Sequence, residues 1–137
     1  TYNTAGQVLT VRNPLSETTT YAYGADGQLS SVTGPVSGAT TSYTYDGYGR
    51  TRTVTHGGAT VTTDYDAFDR PTVVWHPDGT TDRTTYDRLD VARRTDRLGR
   101  VTAYVHDALQ RLVATRDPAG RVVRQTFGPA QDSLIDA

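Results

Sequence analysis

Y-D-G-Y-G-R at 45–50 and Y-D-A-F-D-R at 65–70 decide how this chain folds. Each opens on an aromatic residue and an aspartate, turns on a glycine or aspartate, and closes on an arginine. H-D-A-L-Q-R at 106–111 is a third copy, with His106 in the place of tyrosine. Taking the leading aromatic as an anchor gives the series Tyr2, Tyr23, Tyr45, Tyr65, Tyr86, His106 and Phe127, at intervals of 21, 22, 20, 21, 20 and 21 residues. A period held that closely along the chain marks an internal repeat.

Working outward, the anchor is followed by Asp46, Asp66, Asp87 and Asp107, and four residues after the anchor come Gly6, Gly27, Gly49, Asp69, Asp90 and Gln110. Arg50, Arg70 and Arg111 close the best copies. Aspartate at the start of a tight turn accepts hydrogen bonds from backbone N–H groups two residues on, and glycine tolerates the positive φ that closes the loop. A β-prone run follows, such as T-R-T-V-T-H at 51–56 or P-T-V-V-W-H at 71–76. Half a repeat later comes a second turn: H-G-G at 56–58, H-P-D-G at 76–79, D-R-L-G-R at 96–100 and D-P-A-G-R at 117–121, the last holding Asp117 and Gly120. Each unit therefore reads strand, turn, strand, turn, which is an antiparallel meander of hairpins. Residues 13–20 contain no clear D-x-x-G, 34–39 form a longer turn, and 127–137 start a partial repeat that loses the pattern.

About six such repeats across 1–137 predict a single all-β array of about twelve strands. At about 4.8 Å per strand, successive anchors stand about 10 Å apart in one column. A sheet that wide tends to curl, and its end strands carry unpaired backbone groups that invite self-association. The expectation is a continuous curled meander, part of a larger protein. Composition agrees: the chain is rich in Thr, Val and Tyr, has one glutamate and no lysine, and carries 13 Gly and 6 Pro. A mean hydropathy of −0.56 leaves too little apolar material for a thick core.

Several function classes lose their footing. The net charge is −1 and both signs are interleaved along the chain, which gives no field for nucleic acid. There is no cysteine for disulfides or thiolate sites. No apolar run approaches the roughly 20 residues of a membrane span, so this segment is not expected to insert. His56 and His76 stand at equivalent places in neighbouring repeats, too far apart to share a zinc ion. The aspartates that could form a catalytic pair are mostly periodic, and periodicity argues for a turn role. Asp64, Asp69, Asp82 and Asp90 stand outside the series Asp46, Asp66, Asp87 and Asp107, with Arg70, Arg83 and Arg88 as partners. No phosphate loop or nucleophile elbow is present. We therefore expect no catalytic, metal or cofactor-binding residues and no enzyme activity. Tyr48, Phe68 and Trp75 are candidate stacking surfaces for sugar rings, the alternative being a carbohydrate- or protein-binding module.

The motif Y-D-x-x-G-R, with a β-prone run and then D-x-x-G-R, resembles the RHS/YD-repeat family. The resemblance rests on 45–50, 65–70, 96–100 and 117–121 and covers nearly the whole chain. In that family, bacterial RHS proteins, toxin-complex subunits and teneurins coil hairpins into a hollow β-shell. The bacterial shells enclose a toxic C-terminal domain and end in a self-cleaving protease core marked by D-P-x-G-L. Here Asp117-Pro118-Ala119-Gly120 is followed by Arg121 and is an ordinary second turn. The resemblance implies a section of wall from a secreted or surface bacterial protein, partnered by a toxin or effector domain of its parent chain. It also implies that Tyr23, Tyr45, Tyr65 and Tyr86 define the repeat together with the turn residues named above.

Overall fold

A computed structural model of the chain describes residues 1–35 and 39–127. The centre of the 34–39 turn and all but the first residue of the partial repeat at 127–137 lie outside the described residues. Every regular element is a β-strand; no helix occurs among the described residues. The chain divides into two units, Thr1–Thr81 and Asp82–Ala137. The first holds β1 (Thr10–Arg12), β2 (Thr18–Tyr23), β3 (Leu29–Thr33), β4 (Thr40–Tyr45), β5 (Thr51–His56), β6 (Ala59–Tyr65) and β7 (Pro71–Trp75). The second is built on β8 (Thr81–Asp87), β9 (Asp90–Thr95), β10 (Val101–His106), β11 (Leu112–Arg116) and β12 (Val122–Arg124). Within each unit every strand pairs antiparallel with the next in sequence, as a meander requires.

Alternation sorts the side chains of the first unit into two faces. Tyr21 pairs with Val32, Tyr43 with Val54, and Val54 with Val61, forming an aromatic and aliphatic face. The other face is built from hydroxyls, which bond across strands: Thr33 to Thr40 at 3.0 Å, Thr44 to Thr53 at 2.6 Å and Thr55 to Thr60 at 2.8 Å. This is where much of the threonine goes, into cross-strand pairs that suit a pleated, half-exposed surface. No described residue is buried, apolar or polar. Each unit is a single layer with two half-covered faces, and neither has an interior.

A further regularity sits beside the anchors. Tyr23 pairs with Leu29, Tyr45 with Thr51, Tyr65 with Pro71, Tyr86 with Val91 and His106 with Leu112, and in all five cases the register slips by one residue immediately afterwards. Five hairpins thus carry a β-bulge at the same place, on the strand leaving the anchor turn. A bulge increases local twist, bends its strand and leaves ladder groups unpaired. The other hairpins within the units, at the second turns, show no such slip.

Candidate functional site

The repeated element is a five-residue turn. Nine turns among the described residues share one backbone pattern, in which the N–H of the first residue donates to the carbonyl of the fifth and the N–H of the fourth donates to the carbonyl of the first. They start at Asn3, Asn13, Gly24, Asp46, Asp66, His76, Asp96, Asp107 and Asp117. The fourth residue has positive φ in all nine, from +61° at Asp69 to +84° at Gly120. Glycine takes that conformation without cost; Ser16, Asp69 and Gln110 take it against their Cβ. The same device thus serves as first turn and as second turn, at both ends of the strands.

Where the first residue is aspartate and the fifth is arginine, the side chains lock the turn. Asp46 Oδ1 accepts the N–H groups of Tyr48 at 2.9 Å and Arg50 at 3.1 Å, while its Oδ2 accepts Arg50 Nε at 2.7 Å. Asp66 does the same with Phe68 and Arg70, Asp96 with Leu98 and Arg100, and Asp107 with Leu109 and Arg111. Asp117 holds Arg121 through both backbone N–H and Nε. The carboxylate is thereby saturated with donors. Hydrogen bonding from the arginine holds Asp66 and Asp117 below the usual value, through the guanidinium first; at Asp96 and Asp107 the arginine's backbone N–H leads. At Asp46 desolvation pushes upward, but the Arg50 bonds outweigh it and the net shift is down. The same bonds raise Arg50.

The pattern survives without an ion pair. Asn3 accepts from the N–H groups of Ala5 and Gln7 and donates to Gln7 Oε1 at 2.7 Å. Asn13 does likewise with Glu17, in the stretch whose letters hide the turn. Asp87 shows the reverse. It carries the expected letter but heads a two-residue turn, with Arg88 at φ +55° and Asp90 directly opposite, and Val91 stands where a clasping arginine would be. His56 ends the strand before the two-residue Gly57-Gly58 turn and bonds Thr41 Oγ1 through Nδ1 at 2.9 Å.

Neighbouring anchor turns are joined in both directions. The hydroxyls of Tyr23, Tyr45 and Tyr65 donate backward to the carbonyls of Val8, Leu29 and Thr51, at 3.0, 2.9 and 2.9 Å. Leu29 and Thr51 are the residues opposite the previous anchor, at the bulge, so each tyrosine supplies a donor where the ladder is disrupted. In the forward direction, Gln7 donates to the Gly27 carbonyl, and Arg50 to the Asp66 carbonyl and the Asp69 carboxylate, each at 2.8 Å. Asp69 thus pairs with the arginine of the preceding repeat, and Asp64 pairs with Arg52 at 2.7 Å.

The proposed stacking residues do not form one row. Tyr48 and Phe68 are the third residues of neighbouring anchor turns, 85% and 70% exposed. Trp75 lies at the opposite end of β7, on the hydroxyl face, with its indole N–H on Asp64 at 3.1 Å. Arg50 sits between the rings of Tyr48 and Tyr65, at 5.0 and 4.7 Å from their centroids, beside an open cleft of about 320 Å³. No three His, Asp or Glu side chains come together as a metal site among the described residues.

The chain is similar in structure to parts of much larger toxin assemblies. It superposes on the TcdB2-TccC3-Cdc42 complex with a TM-score of 0.66 and 20% identity, covering 84% of this chain and 7% of that one. Against the Photorhabdus luminescens Tc holotoxin pore the values are 0.65 and 20%, over 84% and 6%. Against TcdB2-TccC3 without its hypervariable C-terminal region they are 0.63 and 15%, over 85% and 7%. At such identities the likeness is one of fold, and this chain spans a small fraction of those proteins. No curated protein matches the sequence. A family model does: the Teneurin YD-shell model matches residues 1–133. With its anchors, turns and single-layer meander accounted for across nearly its whole length, the chain belongs to the teneurin YD-shell family.

Proposed function

We propose that the chain is a section of shell wall, one array of about six repeats within a longer secreted bacterial protein, which encloses or presents a toxin or effector domain of that protein. The observation that carries this is the absence of any buried described residue in a chain whose turns are so thoroughly bonded. Order is put into a surface, and none into an interior that could hold a reaction. In this reading the repeats are not catalytic and bind no cofactor, nucleic acid or bilayer. The likeness in fold to the TcdB2-TccC3 assemblies supports it. The test is limited proteolysis of the full-length protein: the effector domain resists cleavage while the repeats are intact and becomes sensitive when they are deleted. An effector cut at one rate in both would refute enclosure.

A recognition module is the second reading, favoured by the cleft beside Tyr48, Arg50 and Tyr65, where an aromatic face adjoins charged groups. Saturable binding to a glycan array, lost in Tyr48→Ala, would support it; an array without signal would remove it.

A further inference from the structure

The second unit brings three arginines to one face of its strands, which the order of letters conceals. Residues 82–127 hold ten arginines and six aspartates. Asp96, Asp107 and Asp117 are each held by the arginine of their own turn, and Asp87 and Asp90 stand opposite each other at the turn between β8 and β9. Arg93 of β9 and Arg116 of β11 both lie directly opposite Ala103 of β10, one on either side. They therefore share a face, about 10 Å apart. Arg124 of β12 lies opposite Ala114, two residues from Arg116 along β11, and alternation puts it on that face too. None of these three arginines has an ion-pair partner among the described residues. The floor between them is small and apolar: Ala103 and Ala114, with Val105 54% exposed and Val122 49% exposed. Around Arg93 and Arg116 the surface dips into an open groove of about 520 Å³, lined also by Arg100, Pro118 and Asp117, whose carboxylate is taken by Arg121.

We propose that this face docks a polypeptide segment in which acidic and apolar residues alternate. A guanidinium presents a planar fork that grips a carboxylate with two bonds, and three unsatisfied forks on one face call for more than one acid. The alanines and valines between them gain only from an apolar partner. A sulfated polysaccharide would satisfy the arginines and leave that floor against hydrated sugar. This assignment goes beyond the wall role and stands or falls separately from it.

The test uses the whole chain and a fluorescent peptide of alternating Glu and Leu, read by anisotropy at physiological salt, with an all-Glu peptide and heparin as comparators. The alternating peptide binds saturably and tighter than either comparator. Arg93→Gln with Arg116→Gln weakens it by about tenfold or more, the loss expected from removing charge-assisted bonds. Arg94→Gln, on the opposite face beside Thr84 and Thr102, leaves it unchanged. Three outcomes overturn the proposal: no saturable binding, equal or tighter binding of heparin or the all-Glu peptide, or an equal loss in the Arg94 variant.

Discussion

Replacing Tyr45 by Phe isolates one strut of the array. The ring stays, and only the hydroxyl that reaches the Leu29 carbonyl at 2.9 Å is lost. A neutral hydrogen bond contributes about 0.5–1.5 kcal/mol net, and a carbonyl left without its donor costs more if water cannot replace it. Leu29 is half-exposed, so water can reach it, and the expected loss is about 1 kcal/mol. With a urea m-value of about 2 kcal/mol/M, the unfolding midpoint falls by about 0.5 M at unchanged slope. The same change at Tyr23 and Tyr65 removes two more struts with separate acceptors, so the triple variant loses about 3 kcal/mol. Tyr43 provides the control. It lies two residues from Tyr45 on the same strand and face, and its hydroxyl has no partner among the described residues. Tyr43→Phe should move the midpoint by less than a third as much. Midpoints monitored by far-UV circular dichroism decide the matter: equal shifts for the Tyr43 and Tyr45 variants, or no shift for the triple variant, would refute the strut.

Three further outcomes follow from the turns and edges. The five clasp aspartates titrate below the ordinary 3.8, so their contribution is complete above that value and disappears as pH falls through the lower folded values. Thermal midpoints should decline below about pH 4, less steeply in Asp66→Asn with Asp107→Asn; an unchanged acid slope in that variant would break the link. Gln110→Gly should gain about 0.5 kcal/mol, since relief of the left-handed backbone exceeds the added entropy of the unfolded chain, whereas Gly49→Ala should cost about 1–2 kcal/mol, its Cβ meeting Gln28 Nε2 at 3.0 Å; opposite signs in denaturant titrations would contradict this. Self-association should run through exposed strands such as β12, so Val122→Pro, at a position whose N–H points away from β11, lowers the weight-average mass in sedimentation, and a wild-type chain that stays monomeric at every concentration rules it out.

How much the sequence disclosed depended on which physical property each letter encodes. Tyr45-Asp46 and Gly49-Arg50 could be read directly because each residue type is suited to its place by conformation or charge. The turn at 13–17 escaped the same reading although its backbone is identical, since that backbone can be built from other letters, here Asn13 first and Ser16 at the positive φ. Asp87 matched in letter and diverged in structure: it faces Asp90 directly across a two-residue turn with Arg88 at positive φ. The bulges left no compositional trace: one extra residue changes neither hydrophobicity nor charge. The arginine face was invisible because the order of letters does not show which residues the register of neighbouring strands brings to one side, as it does Arg93 and Arg116 across Ala103.

The two-way bonding of the anchor turns has a consequence for how such a chain can change over time. Tyr45 reaches one repeat back and Arg50 one repeat forward, and neither reaches further. A substitution at either is therefore felt at its own anchor turn and at one neighbouring anchor turn, so each copy is free to drift provided it still fits its immediate neighbours. Asparagine with glutamine, and aspartate with arginine, coexist in one chain on those terms. Whole copies can be gained or lost without re-fitting the remainder, which makes the extent of the array a matter of counting copies.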